Sequence, residues 1–211
     1  MAPRIDVNSL VDGSRVFIAE GSSERGLIKV LIESLRIEDA NIFNVEGERN
    51  LKAALLSIGG KAKAGIKLAC LGLVFDANND YAAKLSSISA NLKSAGFDFD
   101  ATALNGRGIY SGGDLPIGVF LSPGGRQPGR IETMILKEIG SLSIVTCINC
   151  IVSCVRNHTG ILMDEKARTS SYLCTRNSPV GVGTAFEKKL FDIDNAAYSE
   201  IKSMMSELAA A

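Results

Sequence analysis

The sequence is poor in the residues and motifs that mark several common enzyme classes. It contains one histidine, so a Ser-His-Asp or Cys-His arrangement would have to use His158. The surrounding residues, Asn157 to Gly160, are typical of a loop, and we do not expect a catalytic triad. No Gly-x-x-x-x-Gly-Lys-Ser/Thr phosphate loop is present, and the glycines around Arg107 are too loosely spaced for a dinucleotide fingerprint. ATP hydrolysis by this chain is therefore not expected.

The chain also lacks an excess of charge and long apolar runs. Lys plus Arg and Asp plus Glu number 23 each, so no overall field attracts the protein to nucleic acid or anionic lipid. A nucleic-acid substrate would need a local basic patch. No apolar run approaches the roughly 18 residues of a membrane span, and Met1 to Asp6 lack the apolar core of a signal peptide. We therefore expect a cytoplasmic protein without a membrane segment.

Cysteine is scarce until late in the sequence, where four of the five cysteines lie. In a reducing cytosol we expect thiols rather than disulfides. Cys147, Cys150 and Cys154 invite a zinc interpretation, with Cys174 or His158 as the fourth ligand. Structural zinc usually takes two compact ligand pairs, however, and this spacing is irregular. On a helix the first three would share one face, where we expect them to pack as small apolar side chains.

The pattern that is present predicts an α/β fold. With 211 residues and 46% hydrophobic composition, the chain can bury the core of one domain. Apolar runs of strand character alternate with amphipathic segments, which is typical of a mainly parallel, Rossmann-like sheet flanked by helices. The predicted strands are 16–20, 41–45, 68–75 and 117–121, and the predicted helices are 27–35, 51–58, 85–95 and 131–139. We expect a flexible loop over the glycine-rich residues 106–113.

The character of the sequence changes at residue 143. Beyond this point the apolar spacing predicts helices around 144–155, 164–174 and 195–208. We therefore divide the chain into an α/β domain, residues 1–142, and a helical C-terminal extension, residues 143–211, that packs on the sheet.

Two of the predicted strands end on acidic side chains. Glu20 follows Val16 to Ala19, and Asp76 follows the apolar run that ends at Phe75. If these strands are parallel neighbours, the two carboxylates meet at the edge where α/β sheets bind ligands. Oxygen ligands are those that Mg²⁺ prefers. The alternative is that each carboxylate only caps the helix that follows it.

These segments resemble the TOPRIM fold of topoisomerases, bacterial primases, the ribonuclease that matures 5S rRNA, and the nuclease domains of overcoming-lysogenization-defect proteins. More closely, residues 14–209 are similar to a small stand-alone TOPRIM-like family of unknown function, DUF3226. The resemblance is carried by Ile18–Glu24, Asn44–Gly47, Gly72–Asn78, Gly118–Pro123, Pro128–Glu132 and the tail from Asp164 to Asp192.

The resemblance implies phosphoryl transfer by a nuclease or related enzyme that acts on nucleic acid with bound Mg²⁺ or Mn²⁺. Glu20 would be a metal ligand or general acid/base, and Lys166 would be the basic catalytic residue. The other implied metal ligands are Glu24, Asp76, Asn78, Asp80 and Glu132. Asn78 is a neutral amide where the family pattern has a carboxylate, and Asp80 is a candidate substitute.

Two departures from the family pattern leave other functions open. These are Asn78 and the turn Pro123 to Gly125, which lacks the aspartate that relatives often carry. One alternative is a non-catalytic module that binds a nucleotide or nucleic-acid end in the same cleft. Another is a subunit whose tail and Met204–Met205 face dock a partner protein such as an ATPase. The oligomeric state is also open, and a homo-oligomer is compatible with the sequence.

Overall fold

Five strands form one sheet at the centre of the molecule. The computed structural model describes residues 6–176 and 180–211. The strands are β1 (Arg15–Ala19), β2 (Ala40–Asn44), β3 (Cys70–Asp76), β4 (Ile109–Tyr110) and β5 (Ile117–Ser122). Their order is β2-β1-β3-β5-β4, and all neighbours are parallel except β4 and β5. The predicted α/β fold with a mainly parallel sheet is confirmed. The predicted loop 106–113 is wrong at its centre, where β4 pairs with β5.

Eight α-helices flank this sheet in the described part of the chain. They are α1 (Ser22–Leu35), α2 (Leu51–Lys63), α3 (Tyr81–Ser94), α4 (Ile131–Ile139), α5 (Ile144–Thr159), α6 (Glu165–Thr175), α7 (Val182–Glu187) and α8 (Ser199–Ala210). Short 3-10 turns cover Val7–Ser9, Glu48–Asn50, Ala101–Ala103 and Ala196–Tyr198. None of the described helices has the length and hydrophobicity needed to span a membrane.

Three helix predictions need correction. Helix α2 does not end at residue 58, before the glycine pair Gly59-Gly60, but continues to Lys63. Gly59 lies so close to the Ala95 carbonyl that a Cβ would be 2.9 Å from its oxygen, so this glycine, within the helix, permits close packing against the end of α3. His158 lies in the last turn of α5, not in a loop. The six-residue helix α7 was not predicted at all.

Side chains of the strands alternate between two hydrophobic cores. Phe17 and Val74 contribute to the core on the face covered by α1 and by α4 to α8. Ile18 and Leu73 contribute to the core on the opposite face, under α2 and α3. Helices from both sides of residue 142 thus share the first core, whereas the division of the chain at that residue stays a prediction.

Helix α8 packs directly on the sheet against β3 and β5. Met204 and Met205 are fully buried there, and a Cβ on Gly118 would lie 3.2 Å from Met204 Sδ. The Met204–Met205 face is therefore covered by the protein's own sheet. This face is therefore not available to a partner, whereas a protein partner such as an ATPase stays a prediction.

The cysteines of α5 are also placed differently from the prediction. Cys147, Cys150 and Cys154 are exposed free thiols, as is Cys174 on α6. They do not pack as small apolar side chains, because the core contact of α5 is made by Ile148.

Candidate functional site

Glu20 and Asp76 meet at the carboxyl edge of the sheet. Strands β1 and β3 are parallel neighbours with Ala19 opposite Val74, so the residues that follow each strand come together. The Asp76 backbone N–H donates to Glu20 Oε2 at 3.1 Å. The strand-end geometry expected from the sequence is thus present in the structure.

Two helix N-termini bring further carboxylates to this edge. Glu24, in the first turn of α1, is only 4% exposed, and its Oε2 accepts the Gly21 N–H at 2.9 Å. Glu132, in the first turn of α4, is 6% exposed. The start of α4 is tied to β3 because the Ile131 N–H donates to Asp76 Oδ1 at 2.9 Å. We refer to Glu20, Glu24, Asp76 and Glu132 as the acidic cluster.

Burial and mutual repulsion raise the pKa values of Asp76 and Glu24 in the acidic cluster. The pKa of Asp76 is raised to about 8, mainly by burial and then by the charges of Glu24, Glu132 and Glu20, against the lowering effect of the Ile131 N–H. The pKa of Glu24 is raised to about 7, again mainly by burial, with Glu20 and Glu132 adding to it. These carboxyl groups therefore share a poorly solvated space in which their negative charges repel one another.

The oxygen donors of the acidic cluster fit a hard cation, but three of these carboxylates already accept hydrogen bonds from backbone N–H groups. Carboxylate oxygens suit Mg²⁺ and Mn²⁺. Ser122, opposite Asp76 in the β3–β5 register, adds a buried hydroxyl that lacks a hydrogen-bond partner. Within residues 6–176 and 180–211, however, no three Asp, Glu, His or Cys side chains already converge as a metal ligand set. Backbone N–H groups hold Glu20, Glu24 and Asp76 instead, so these carboxylates would have to exchange partners to bind a cation.

Asn78 and Asp80 have other partners in the structure. Asn78 has a positive φ of 54° and forms an isolated bridge with Gly129. Its Oδ1 accepts from Arg130 Nε at 3.2 Å. Asp80 is exposed and caps α3, where its Oδ1 accepts the Ala83 N–H at 3.0 Å. The capping role that we considered for strand-end acids therefore falls to Asp80.

Lys166 is not part of this assembly. It is exposed on the first turn of α6, and the described residues offer it no hydrogen bond or ion pair with the acidic cluster. Its neighbour Glu165 is tied to α4 instead, because Thr133 Oγ1, in the residue after Glu132, donates to Glu165 Oε2 at 2.7 Å.

The sequence reasoning missed a buried lysine. The side chain of Lys84 in α3 is 6% exposed, and its Nζ lies 3.1 Å from Glu20 and 2.8 Å from Glu48 Oε2. The ammonium also lies 5.3 Å from the centre of the Phe75 ring. Burial by itself lowers the pKa of Lys84, but the hydrogen bonds and charges of Glu48 and Glu20 outweigh burial and raise it.

One signal could have identified Lys84 from the sequence. Lys84, Ile88 and Leu92 follow a four-residue spacing and are the buried residues of α3. A lysine that interrupts an apolar helix face needs a buried anionic partner, because an unpaired buried charge is costly. The identity of that partner could not be predicted, since Glu48 lies in a separate 3-10 turn.

The structure is thus that of an α/β protein in which acidic groups lie at the carboxyl edge of a mainly parallel sheet and a buried lysine from a flanking helix contacts one of them. The family model described as "Protein of unknown function (DUF3226)" matches residues 14–210, and the chain belongs to this family. The crystal structure of the hypothetical protein PH0156 from Pyrococcus horikoshii OT3 is similar, with a TM-score of 0.60 and 13% identity. The similarity covers 93% of this chain and 95% of that one, and at this identity it shows the fold alone. No curated protein matches the chain.

Proposed function

We propose that the acidic cluster binds Mg²⁺ or Mn²⁺ and that the protein is a cytoplasmic nuclease, cleaving phosphodiester bonds in nucleic acid. The observation that carries this proposal is the meeting of several carboxyl groups at one poorly solvated edge of the sheet, where burial and then mutual repulsion raise the pKa values of Asp76 and Glu24. A divalent cation would relieve the repulsion among these carboxylates, and the carboxylates, once released from their backbone N–H partners, would bind it tightly. Clusters of carboxyl groups with strongly perturbed pKa values are typical of functional sites.

Each member of the acidic cluster has a role in this proposal. Glu24, Asp76 and Glu132 would hold the cation. The cation would stabilise the charge that develops on the attacking and leaving oxygens. Glu20, with 21% of its side chain exposed, would add either a ligand oxygen or general acid/base catalysis. The order of Glu20 and Asp76 along the chain, which resembles TOPRIM nucleases, also supports phosphoryl transfer.

The basic group in this proposal is Arg130 rather than Lys166. Arg130 immediately precedes α4 and contacts Asn78, two residues beyond Asp76. Its exposed guanidinium is suited to a phosphate oxygen. Lys166 is left without a role because it has no contact with the cluster, and Asp80 stays a helix cap.

The decisive experiment compares Glu20→Gln with a control on a distant carboxylate. Single- and double-stranded DNA and RNA are incubated with the protein and Mg²⁺ or Mn²⁺, and with EDTA. Cleavage should need the cation and fall about a hundredfold or more in Glu20→Gln. Glu33→Gln, on the exposed side of α1, should cleave like the original protein. Cleavage that is unaffected by Glu20→Gln would refute the assignment.

A second candidate is a binding module without turnover. Two contacts favour it: Lys84 already neutralises Glu20, and the amide oxygen of Asn78 is occupied by Arg130. Such a module would bind a nucleotide or nucleic-acid end at the same edge of the sheet. Fluorescence anisotropy with labelled oligonucleotides distinguishes the two functions, because the module would bind in EDTA and show no cleavage with any cation.

A further inference from the structure

The buried lysine lies between two carboxylates that belong to different parts of the fold. Glu20 follows β1, Glu48 opens a 3-10 turn before α2, and Lys84 reaches both from α3. Its Nζ is 2.8 Å from Glu48 Oε2 and 3.1 Å from Glu20. Lys84 is thus the cation that compensates Glu20 in this structure.

The position of Lys84 conflicts with a divalent cation on Glu20. An ammonium at hydrogen-bond distance from a carboxylate occupies oxygen lone pairs that a metal ligand must offer. Two cations on one carboxylate also repel each other, and in a poorly solvated site this repulsion is large. Lys84 and a divalent cation therefore compete for Glu20, and a looser contact of the lysine favours the metal.

Glu48 gives Lys84 an alternative partner that does not require the lysine to leave the interior. Ser87 Oγ donates to Glu48 Oε1 at 2.5 Å, which fixes this carboxylate on the α3 side of the site. With 34% of its side chain exposed, Glu48 is also better hydrated than Lys84. A small movement of the ammonium towards Glu48 would free Glu20 while the lysine stays paired.

We propose that Lys84 is the resident counter-cation of Glu20, that it competes with the divalent cation for this carboxylate, and that Glu48 retains the lysine when the cation binds. The inference rests on the proposed function for the existence of the cation site. It adds that Lys84, as a positioning residue, sets the affinity of this site for the cation. Lys84 and Glu48 should accordingly affect cation binding in opposite directions.

The test measures binding of Mn²⁺ alone at pH 8.5, from the electron paramagnetic resonance signal of free Mn²⁺. Lys84→Met removes the competitor and should tighten Mn²⁺ binding about tenfold or more. Glu48→Gln leaves the lysine to Glu20 alone and should weaken binding several-fold. Lys93→Met, on the exposed side of the same helix, should bind Mn²⁺ like the original protein. General loss of structure would weaken binding in both site variants.

A double variant tests whether Glu48 acts through the lysine. In the Lys84→Met background, Glu48→Gln should change Mn²⁺ affinity less than twofold, because there is no ammonium left to redirect. If Lys84→Met does not fold, as judged by circular dichroism, Glu48→Gln alone decides, since its partly exposed site tolerates an amide.

The outcomes separate this inference from the proposed function. Mn²⁺ binding that depends on Glu20 but is unchanged or weaker in Lys84→Met overturns the competition and leaves the cation site standing. Binding that is unchanged or tighter in Glu48→Gln does the same. Absence of Mn²⁺ binding in both the original protein and Lys84→Met overturns both proposals.

Discussion

Asp76 and Glu24 should make the stability of the protein depend on pH. Their pKa values in the folded state are raised to about 8 and about 7, whereas the unfolded chain loses these protons near the ordinary carboxyl values. The folded state thus binds more protons between these limits. The stabilisation is complete below the ordinary carboxyl pKa values, declines as the pH rises above them, and is fully lost once the pH has passed 7 and 8.

We therefore expect the protein in EDTA to lose on the order of 4 kcal/mol of unfolding free energy between pH 6 and pH 9. Urea denaturation at each pH measures this loss. Glu24→Gln should flatten the dependence, because it removes one titrating group and its repulsion of Asp76. Stability in EDTA that rises over this range would show that the carboxyl groups are not crowded as described.

Individual site residues differ in how far the sequence reveals them. Glu20 and Asp76 were predictable because a strand-end position is local, and parallel strands bring their carboxyl ends to one edge. The ion pairs of Lys84 were not predictable, since they depend on how α3 and the turn at Glu48 lie over β1. For the same reason, the contact between Arg130 and the amide of Asn78 was not predictable.

Helices α1 and α7 approach each other through two glycines. A Cβ added to Gly26 would lie 2.3 Å from the Gly183 carbonyl oxygen, and one added to Gly183 would lie 2.1 Å from the Ser22 carbonyl oxygen. These contacts are with backbone, which cannot move aside as a side chain can. The close approach matters for the site, because the first turn of α1 carries Glu24.

Gly26→Ala should therefore destabilise the protein by at least about 2 kcal/mol, measured by urea denaturation. Gly60→Ala is the matched control, since Gly60 is also helical and no atom lies within 4 Å of its added Cβ. The control should be stabilised by about 0.5–1 kcal/mol through helix propensity. Equal effects of the two substitutions would mean that α1 and α7 are not in contact.

Elements made by local patterns were predictable, and elements made by packing were not. The strands and most helices follow apolar periodicity that is visible in the sequence. Helix α7 has only six residues, and it packs on α1 through Gly183, a contact that the sequence pattern does not show. Strand β4 has two residues and exists through its pairing with β5. Helix α2 passes through a glycine pair because Gly59 packs against the end of α3.

On the scale of the whole molecule, helices cover both faces of the sheet, and α8 covers part of one face over β3 and β5. Leu208 of α8 is 1% exposed and lies over glycines of two strands. A Cβ would lie 3.4 Å from Leu208 Cδ2 at Gly72 and 3.1 Å from it at Gly118. Deleting residues 195–211 would therefore remove part of the core. If a partner protein no longer bound after this deletion, the loss could reflect unfolding and would not show that the partner docks on α8.

A single substitution tests the docking of α8 without removing it. Leu208→Ala should cost about 2–5 kcal/mol of unfolding free energy, because it leaves a cavity between the helix and the sheet. Leu56→Ala on α2 is the control, since Leu56 is 48% exposed and its truncation should change stability by about 0.5 kcal/mol or less. Urea denaturation measures both. If the two variants were equally stable, α8 would not be packed on the sheet, and the Met204–Met205 face would again be available to a partner protein.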